Sequence, residues 1–315
     1  MLHLRLRVPS ELEETVLALL VDDVTVTNVA VVPGGFRKPE GTLVMADVAR
    51  ENANAVVRGL HELDLHHSGS ITLASVDTVL SDEATRVEGA APGLPEDAVV
   101  WDVIENRMRV DSRLSWAFVS FLTLATLIAG AGRLLDQPIL IIGAMVVGPE
   151  FSPVAAICLA LARPRLSLLP TAATTLVGGF AIAVAVSSPL WFLAYQGGVF
   201  TRTAAASGEL TDFIVNPDGW SFVIALLAGV AGTLALTTAK SGPLVGVFIS
   251  VTTVPAVGTL ALALGTGIWS EVAGALLQLG INLLGLILAG TATLLAQRFV
   301  WSRVRVPRRI DPVTR

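Results

Sequence analysis

Charged residues are scarce in this chain of 315 residues: they make up 15%, whereas hydrophobic residues make up 53%. Soluble domains carry roughly a quarter charged residues, so this composition and a mean hydropathy of +0.71 exclude an ordinary soluble protein. The few charges are also unevenly placed. Residues 1–112 hold 19 acidic and 9 basic residues, whereas residues 113–315 hold 7 and 12. The sequence therefore indicates an acidic soluble part followed by a membrane part with basic flanks.

Residue types used in catalysis and metal binding are scarce as well. The single cysteine, Cys158, lies in an apolar run, which excludes a disulfide framework and a thiolate metal site. All four histidines precede the membrane part, which excludes a Ser-His dyad within it; they are His3, His61, His66 and His67. The sequence contains no HExxH motif and no Walker A motif. We expect no enzymatic activity, no cofactor and no metal, and the acidic soluble part argues against nucleic acid as a partner.

Alternating apolar and polar residues predict a small α+β domain in residues 1–82. The strands are predicted over 2–8, 23–32, 42–48 and 70–79, with helices starting at Ser10 and spanning 51–64. The second strand is expected to end at Pro33-Gly34-Gly35. This order, βαββαβ, resembles the ferredoxin-like fold, and we expect a regulatory or assembly role. The N-terminus lacks an apolar signal-peptide core, so this domain is expected in the cytoplasm.

Residues 83–112 are predicted to connect this domain to the membrane part. Residues 83–97 are polar with Gly and Pro, which is typical of a linker, and residues 98–112 predict an amphipathic helix. Three histidines, His61, His66 and His67, cluster just before the fourth strand. A metal site there would need a further ligand and supporting groups, so we interpret the histidines as part of a solvated helix end.

Six apolar segments within residues 113–298 are long enough to cross a bilayer, which takes about 20 residues. They are 114–132, 138–162, 168–195, 219–238, 243–265 and 272–297. Basic residues concentrate before the first segment, after the second and fourth, and in the tail 299–315. The positive-inside rule therefore predicts a multi-pass protein of the inner (plasma) membrane with both termini in the cytoplasm. We interpret the tail as a topology anchor, with binding of anionic lipid as the alternative.

The two halves of the membrane part resemble each other. Residues 116–121 (WAFVSF) match 220–225 (WSFVIA), and residues 137–142 (QPILII) match 242–247 (GPLVGV) at nearly the same offset. These matches divide the six spans into two sets of three. Because three is an odd number, the second set enters the membrane from the opposite side. The pattern therefore predicts an inverted repeat, which is a common plan among transporters.

The second span of each set contains helix-breaking residues. Broken backbone at bilayer depth persists only where protein or a water-filled cavity supplies hydrogen-bond partners, so paired breaks predict a midplane binding site. A single proline, in contrast, often only kinks a helix. For Asn282 the alternative is a hydrogen bond to another helix. The predicted site residues are Gly148, Pro149, Glu150, Ser152 and Pro153 in span two, Thr252, Thr253 and Pro255 in span five, and Asn282 in span six.

Glu150 is the only acidic residue near the centre of a predicted span. An ionised side chain there costs on the order of 3 kcal/mol or more, so it must face a cavity, pair with a cation or be protonated. No Lys or Arg lies at a matching depth in another predicted span. A protonated Glu150 would suit proton coupling. An ionised Glu150 would instead accept hydrogen bonds from unpaired backbone amides at a half-helix N-terminus. The sequence leaves both alternatives open.

Two motifs resemble a known family of bacterial and archaeal integral membrane proteins. The first is Gly143-Ala144-Met145 followed by Pro149 and Ser152-Pro153, and the second contains Lys240-Ser241. On these residues the chain, over about 113–265, resembles domain-of-unknown-function family 389. The resemblance implies a membrane protein without an established substrate. Glu150 departs from the apolar residue of many members, so a proton role for Glu150 need not extend to the family.

We therefore expect a six-span transporter or channel for a small solute or ion, with its site formed by the broken spans two and five. The bilayer is the expected environment, a homo-oligomer is the expected state, and the soluble domain is expected to regulate or assemble it. The alternative is a non-transporting receptor or scaffold whose soluble domain binds the signal. A polar midplane cavity distinguishes the two, because a scaffold would pack the prolines against apolar side chains.

Overall fold

A computed structural model describes residues 1–76, 79–91, 93–95, 98–163, 166–238 and 253–303 of the chain. The chain is mostly helical and forms two compact units. One unit is built mainly from residues 1–104 and contains a small sheet. The other is built mainly from residues 105–298 and is helical.

The N-terminal unit contains a four-stranded antiparallel sheet in the order β2-β3-β1-β4. Its strands are β1 (Leu2–Val8), β2 (Val26–Arg37), β3 (Glu40–Val48) and β4 (Ser70–Ser75). Its helices are α1 (Glu13–Val21, after a 3-10 turn at Ser10–Leu12), α2 (Ala53–Glu62), α3 (Leu65–Ser68) and α4 (Asp82–Ala90). Alternate residues of β1 are buried, as the sequence pattern predicts, and they pack with Leu20 of α1 and Leu60 of α2 in one core.

The second strand does not end at Pro33-Gly34-Gly35, so that prediction is wrong. Strand β2 continues to Arg37, and its pairing with β3 shifts between Val32 and Phe36. Gly34 has φ of +63°, which glycine adopts without steric cost. The missing amide of Pro33 is tolerated because β2 lies at the edge of the sheet. A bulge therefore absorbs the turn-forming residues without ending the strand.

The segment predicted as a linker, residues 83–97, contains a helix in its first half. The Ser81 hydroxyl accepts a hydrogen bond from the Ala84 amide and caps the N-terminus of α4. Asp82 and Glu83 occupy the first turn, where acidic side chains complement the helix dipole. Ala84 and Val87 are buried. The polar composition thus belongs to an amphipathic helix with one buried face.

One carboxylate of this unit is buried without a hydrogen bond from another residue. Glu51 is 7% exposed, and within the described residues neither of its carboxylate oxygens accepts a hydrogen bond from another residue. Burial raises the pKa of Glu51 and outweighs the lowering by its own backbone amide, the N-terminal ammonium and Arg50. The ionised form of Glu51 is therefore less favourable in the folded chain than in water.

The second unit is a set of helices, most of which are apolar. They are α5 (Trp101–Asp111), α6 (Trp116–Leu134), α7 (Pro138–Val147), α8 (Phe151–Ala162), α9 (Leu169–Gln196), α10 (Arg202–Ala206), α11 (Gly219–Thr237), α12 (Val254–Thr266) and α13 (Trp269–Arg303). Short 3-10 turns lie at Leu166–Leu168 and Asp212–Ile214. Many large apolar side chains point outward from these helices, among them Val177, Leu193 and Leu227. Exposed apolar surface of this extent indicates a membrane environment.

Within the described residues, four helices are long and apolar enough to cross a membrane: α6, α9, α11 and α13. The pair α7 and α8 is bent by 60° at a short break and would count as a fifth span. These helices coincide with predicted spans one to four and six. The first part of predicted span five, 243–252, lies outside the described residues, and α12 forms its second part.

We expect Glu51→Gln to stabilise the N-terminal unit by on the order of 1 kcal/mol at neutral pH, because it removes a buried charge. A carboxyl whose pKa is raised by folding contributes full stability below its ordinary pKa and loses it as the pH rises through the raised value. The stabilisation should therefore vanish near pH 4. Urea unfolding of the full chain, followed by pulse proteolysis, measures it. If Glu51→Gln stabilised the unit equally at pH 4, or if Glu14→Gln at an exposed position gave the same increase in the free energy of unfolding, burial of the Glu51 charge would not be the cause.

Candidate binding site at the broken helices

The break between α7 and α8 follows from three consecutive residues. Gly148 ends α7 with an extended backbone (φ −66°, ψ 126°), which is the conformation favoured before a proline. Pro149 follows, and Glu150 occupies the N-cap position of α8. Pro153 lies in the first turn of α8, where no amide donor is needed. The helix is therefore broken at the predicted position, and Pro149 and Pro153 place the start of a new helix.

The start of α12 has the same construction. Thr253 occupies the N-cap position, and Pro255 lies within the first turn. Thr252, the remaining predicted site residue of this segment, lies outside the described residues. A helix thus begins at the position where span five is predicted to be interrupted, and residues 239–252 before it lie outside the described residues.

A hydrogen bond joins the two helix starts. The Thr253 hydroxyl donates to Oε1 of Glu150 over 3.0 Å, and both residues are buried, with 1% and 2% of their surfaces exposed. Gly148 lies against the Glu150 carboxylate and the Val254 side chain, so a Cβ at position 148 would collide with both. Residues of the two predicted broken spans are therefore brought together, and the glycine permits their close approach.

The long helix α13 shows that α8 and α12 extend in opposite directions from this meeting point. The C-terminal end of α8 contacts the far end of α13, where the Arg298 guanidinium donates to the Ala162 carbonyl over 3.0 Å. The C-terminal end of α12, at Thr266, lies three residues before α13 begins. Residues 269 and 298 of one helix are roughly 40 Å apart. The two half-helices therefore share a start and diverge towards opposite ends of α13.

Asn282 of α13 is placed at the level of the two helix starts. Leu279 packs against a buried cluster that includes Ala256 in the first turn of α12, and the Cys158 thiol of α8 lies 3.7 Å from the Ile287 carbonyl. Asn282 lies between these two levels and is fully buried. Ser152 and Pro153 lie in the first turn of α8 beside Glu150.

Helix α12 packs closely against two neighbouring helices. A Cβ at Gly258 would collide with the backbone of α6 at Gly130, and a Cβ at Gly265 would collide with the backbone of α9 at Ser188. Small residues at these positions allow the backbones to touch, as is typical of helix packing in membranes. The glycines thus fix α12 against α6 and α9.

Several buried polar atoms near these contacts have no hydrogen-bond partner within the described residues. They are Oγ of Ser187 and Nε1 of Trp191 on α9, Oγ1 of Thr259 on α12, and Oε1 of Gln278 on α13. Leaving such a group unpaired costs about 1–3 kcal/mol, so water or a ligand is the expected partner. These atoms indicate that the interior of the helical unit is polar beyond Glu150 and Thr253.

A second polar cluster, which the sequence analysis missed, centres on Arg133 at the end of α6. Its guanidinium is fully buried, pairs with Oε1 of Glu271 over 2.9 Å, and donates to the Gly208 carbonyl and the Thr211 hydroxyl. Thr211 in turn donates its hydroxyl and its backbone amide to Asp136. In the sequence, Arg133 falls between the first two predicted spans, and no local pattern relates it to Glu271, 138 residues later.

Hydrogen bonds lower the pKa of Asp136 in this cluster. Desolvation raises the pKa of Asp136, but hydrogen bonds from the Leu210 and Thr211 amides and from the Thr211 hydroxyl outweigh it, so the pKa lies below its usual value. The ionised carboxylate is therefore favoured. It holds residues 210–211 of the segment after α10 close to the turn between α6 and α7.

Comparison with known proteins agrees with the motifs around the break. The family model described as a domain of unknown function, DUF389, matches residues 145–288. The resemblance to DUF389 is thereby confirmed for this part of the chain. The match contains every predicted site residue from Gly148 to Asn282. It carries no activity or ligand, so the DUF389 region is compatible with a membrane protein of unknown function.

One curated relative also matches the chain. It is the uncharacterized protein MJ0678 of Methanocaldococcus jannaschii, which is 26% identical over 178 residues. The aligned region covers 56% of this chain and 53% of the relative, so it spans about half of the relative's length. No solved structure gives a significant match.

We expect the Arg133–Glu271 pair to be strongly coupled. Either Arg133→Met or Glu271→Met leaves a buried charge unpaired and should lower the free energy of unfolding by about 3 kcal/mol. The double variant removes both charges, so its loss in the free energy of unfolding should be smaller than the sum of the losses of the two single variants. Thermal unfolding in detergent, followed by tryptophan fluorescence, measures this. Arg107→Met serves as the control, because Arg107 is exposed and its ion pair with Asp111 is worth at most about 1 kcal/mol. Additive losses would contradict the coupling.

Proposed function

We propose that the chain is a membrane transporter or channel for a small ion or solute, and that Glu150 and Thr253 form its binding site. The observation that carries this proposal is the buried hydrogen bond between these two residues, each of which occupies the N-cap position of a helix. Discontinuous helices whose N-termini meet at one point are a recurrent way of building an ion or substrate site within a bilayer. A scaffold would have no need of a carboxylate there.

The charge of the site supports exchange of a proton for another ion. Helix N-termini carry a partial positive charge, and two of them lie beside the Glu150 carboxylate. A carboxylate can hold a proton or a cation, and the two would compete for the same oxygen atoms of Glu150. We therefore propose Glu150 as the residue that couples a proton to the solute.

We also propose that the membrane part consists of six spans arranged as an inverted repeat. The helices that open the two sets, α6 and α11, both have 19 residues and begin at matching tryptophan motifs. The half-helices α8 and α12 have 12 and 13 residues and run in opposite directions from their shared start. Opposite directions are what an inverted relationship between the two sets requires.

For the N-terminal unit we propose a ferredoxin-like domain in the cytoplasm with a regulatory or assembly role. Its strand order β2-β3-β1-β4 and its two crossover helices support that fold. We further propose an inner-membrane homo-oligomer with both termini in the cytoplasm and no nucleic-acid partner. The distribution of basic residues supports this orientation.

Charge movement in proteoliposomes tests the proposed site. The full chain on a solid-supported membrane should give transient currents after concentration jumps of at least one of H⁺, Na⁺, K⁺ and Cl⁻. Glu150→Gln should abolish the current or its dependence on pH. Thr253→Val should lower the current at least about tenfold, because it removes a hydrogen bond to a charged group. Thr253→Ser keeps the hydroxyl donor and should retain the current.

The matched control is Glu209→Gln, which changes an exposed carboxylate in the segment after α10 and should leave the currents unchanged. Absence of current from the unaltered chain with all four ions would favour the receptor or scaffold alternative. Equal currents from Glu150→Gln and the unaltered chain would remove Glu150 from the site.

Cysteine labelling tests the proposed orientation. In a Cys158→Ala background, Ser207→Cys should react with a membrane-impermeant maleimide in intact cells. Ser10→Cys should react only after lysis. Both serines are exposed, so the membrane is the only barrier to the reagent. Labelling of both positions from the same side would overturn the orientation.

A further inference from the structure

Three side chains of the N-terminal unit come together at the turn between α2 and β4. The ligand atoms of Asp64, His66 and His67 all lie within 4.8 Å of one another, and all three residues are exposed. The ring of His61, in the last turn of α2, packs against His66 with centroids 4.4 Å apart, and the His66 and His67 rings lie 3.9 Å apart. Asp64 supplies the further ligand that the histidines alone lack.

The backbone fixes this arrangement in advance. Asp64 adopts a left-handed conformation with φ of +54°, which turns the chain sharply between α2 and α3. Its carbonyl accepts hydrogen bonds from the His67 and Ser68 amides, and its amide donates to the His61 carbonyl. Leu65 is fully buried in the core of the unit. The side chains on either side of Leu65 are therefore held at the surface by an anchored turn.

The chemistry of the cluster favours a metal over a simple surface role. Within the described residues, none of the three imidazoles makes a hydrogen bond, so their nitrogens are available as ligands. Neutral imidazole is the form that binds a metal. A carboxylate with two imidazoles suits borderline divalent ions rather than Mg²⁺ or Ca²⁺, which prefer oxygen ligands.

We propose that Asp64, His66 and His67 form a surface site for a divalent transition metal ion such as Zn²⁺. The site leaves coordination positions open to water, a further protein side chain or a bound ligand. It lies in the soluble unit and does not depend on the function proposed for Glu150. A bound ion would tie Asp64, in the turn after α2, to α3 immediately before the edge strand β4.

Zinc titration of the full chain tests this site. The protein is purified in detergent without a polyhistidine tag, stripped with a chelator, and titrated with Zn²⁺ in competition with a fluorescent zinc indicator. We expect one equivalent of Zn²⁺ to bind. His66→Gln and His67→Gln should each weaken binding by at least about tenfold, as losing a metal ligand implies. Asp64→Asn should weaken it in the same direction.

Two further measurements separate a metal site from general zinc affinity. His3→Gln is the matched control, because His3 lies in the same unit but pairs with Asp47 over 2.8 Å, away from the cluster. It should leave the affinity unchanged. The Co²⁺-loaded protein should show visible absorption bands that disappear in the His66→Gln/His67→Gln double variant. Equal affinity of the unaltered chain and the double variant, or an equal loss in His3→Gln, would overturn the proposal.

Discussion

The need of buried backbone for hydrogen-bond partners is the constraint on which the helical unit depends. A helix start deep in an apolar region exposes amide donors that neither lipid nor aliphatic side chains can satisfy. Here two such starts, at α8 and α12, lie side by side, and the Glu150 carboxylate and Thr253 hydroxyl lie between them. The prolines fall in the first turns, where the helix loses no hydrogen bond. Two N-cap side chains are thus hydrogen-bonded to each other where both helices begin.

Local chemistry explains why the break itself was predictable from the sequence. Gly148, Pro149 and Pro153 restrict the backbone of their immediate neighbours, so their effect can be recognised within a few residues. The bond between Glu150 and Thr253 joins residues 103 positions apart. The similarity of the two halves allowed both segments to be predicted as parts of one site. Which atoms meet there, however, depends on how α6, α9 and α12 pack in three dimensions.

Features that depend on tertiary context were not predictable. Arg133 and Glu271 each lie near the end of an apolar segment, where charges usually face water, and only the folded chain buries them together. The continuation of β2 past Pro33 depends on its position at the sheet edge, which the strand pattern alone does not give. The first half of the predicted linker forms α4 because the side chains of Ala84 and Val87 become buried on folding. In each case a long-range contact outweighed the local preference.

The glycine contacts of α12 restrict how the region around Glu150 can rearrange. Because Gly258 and Gly265 bring the backbone of α12 directly against α6 and α9, no flexible side chain separates these helices or can absorb a tilt. A tilt of α12 would therefore press its backbone against that of α6 or α9. The α7 side is close-packed as well, because a Cβ at Gly132 of α6 would collide with Ile141 of α7, and a Cβ at Gly148 would collide with Glu150 and Val254. Any change of shape around Glu150 would therefore have to displace whole helices rather than single side chains.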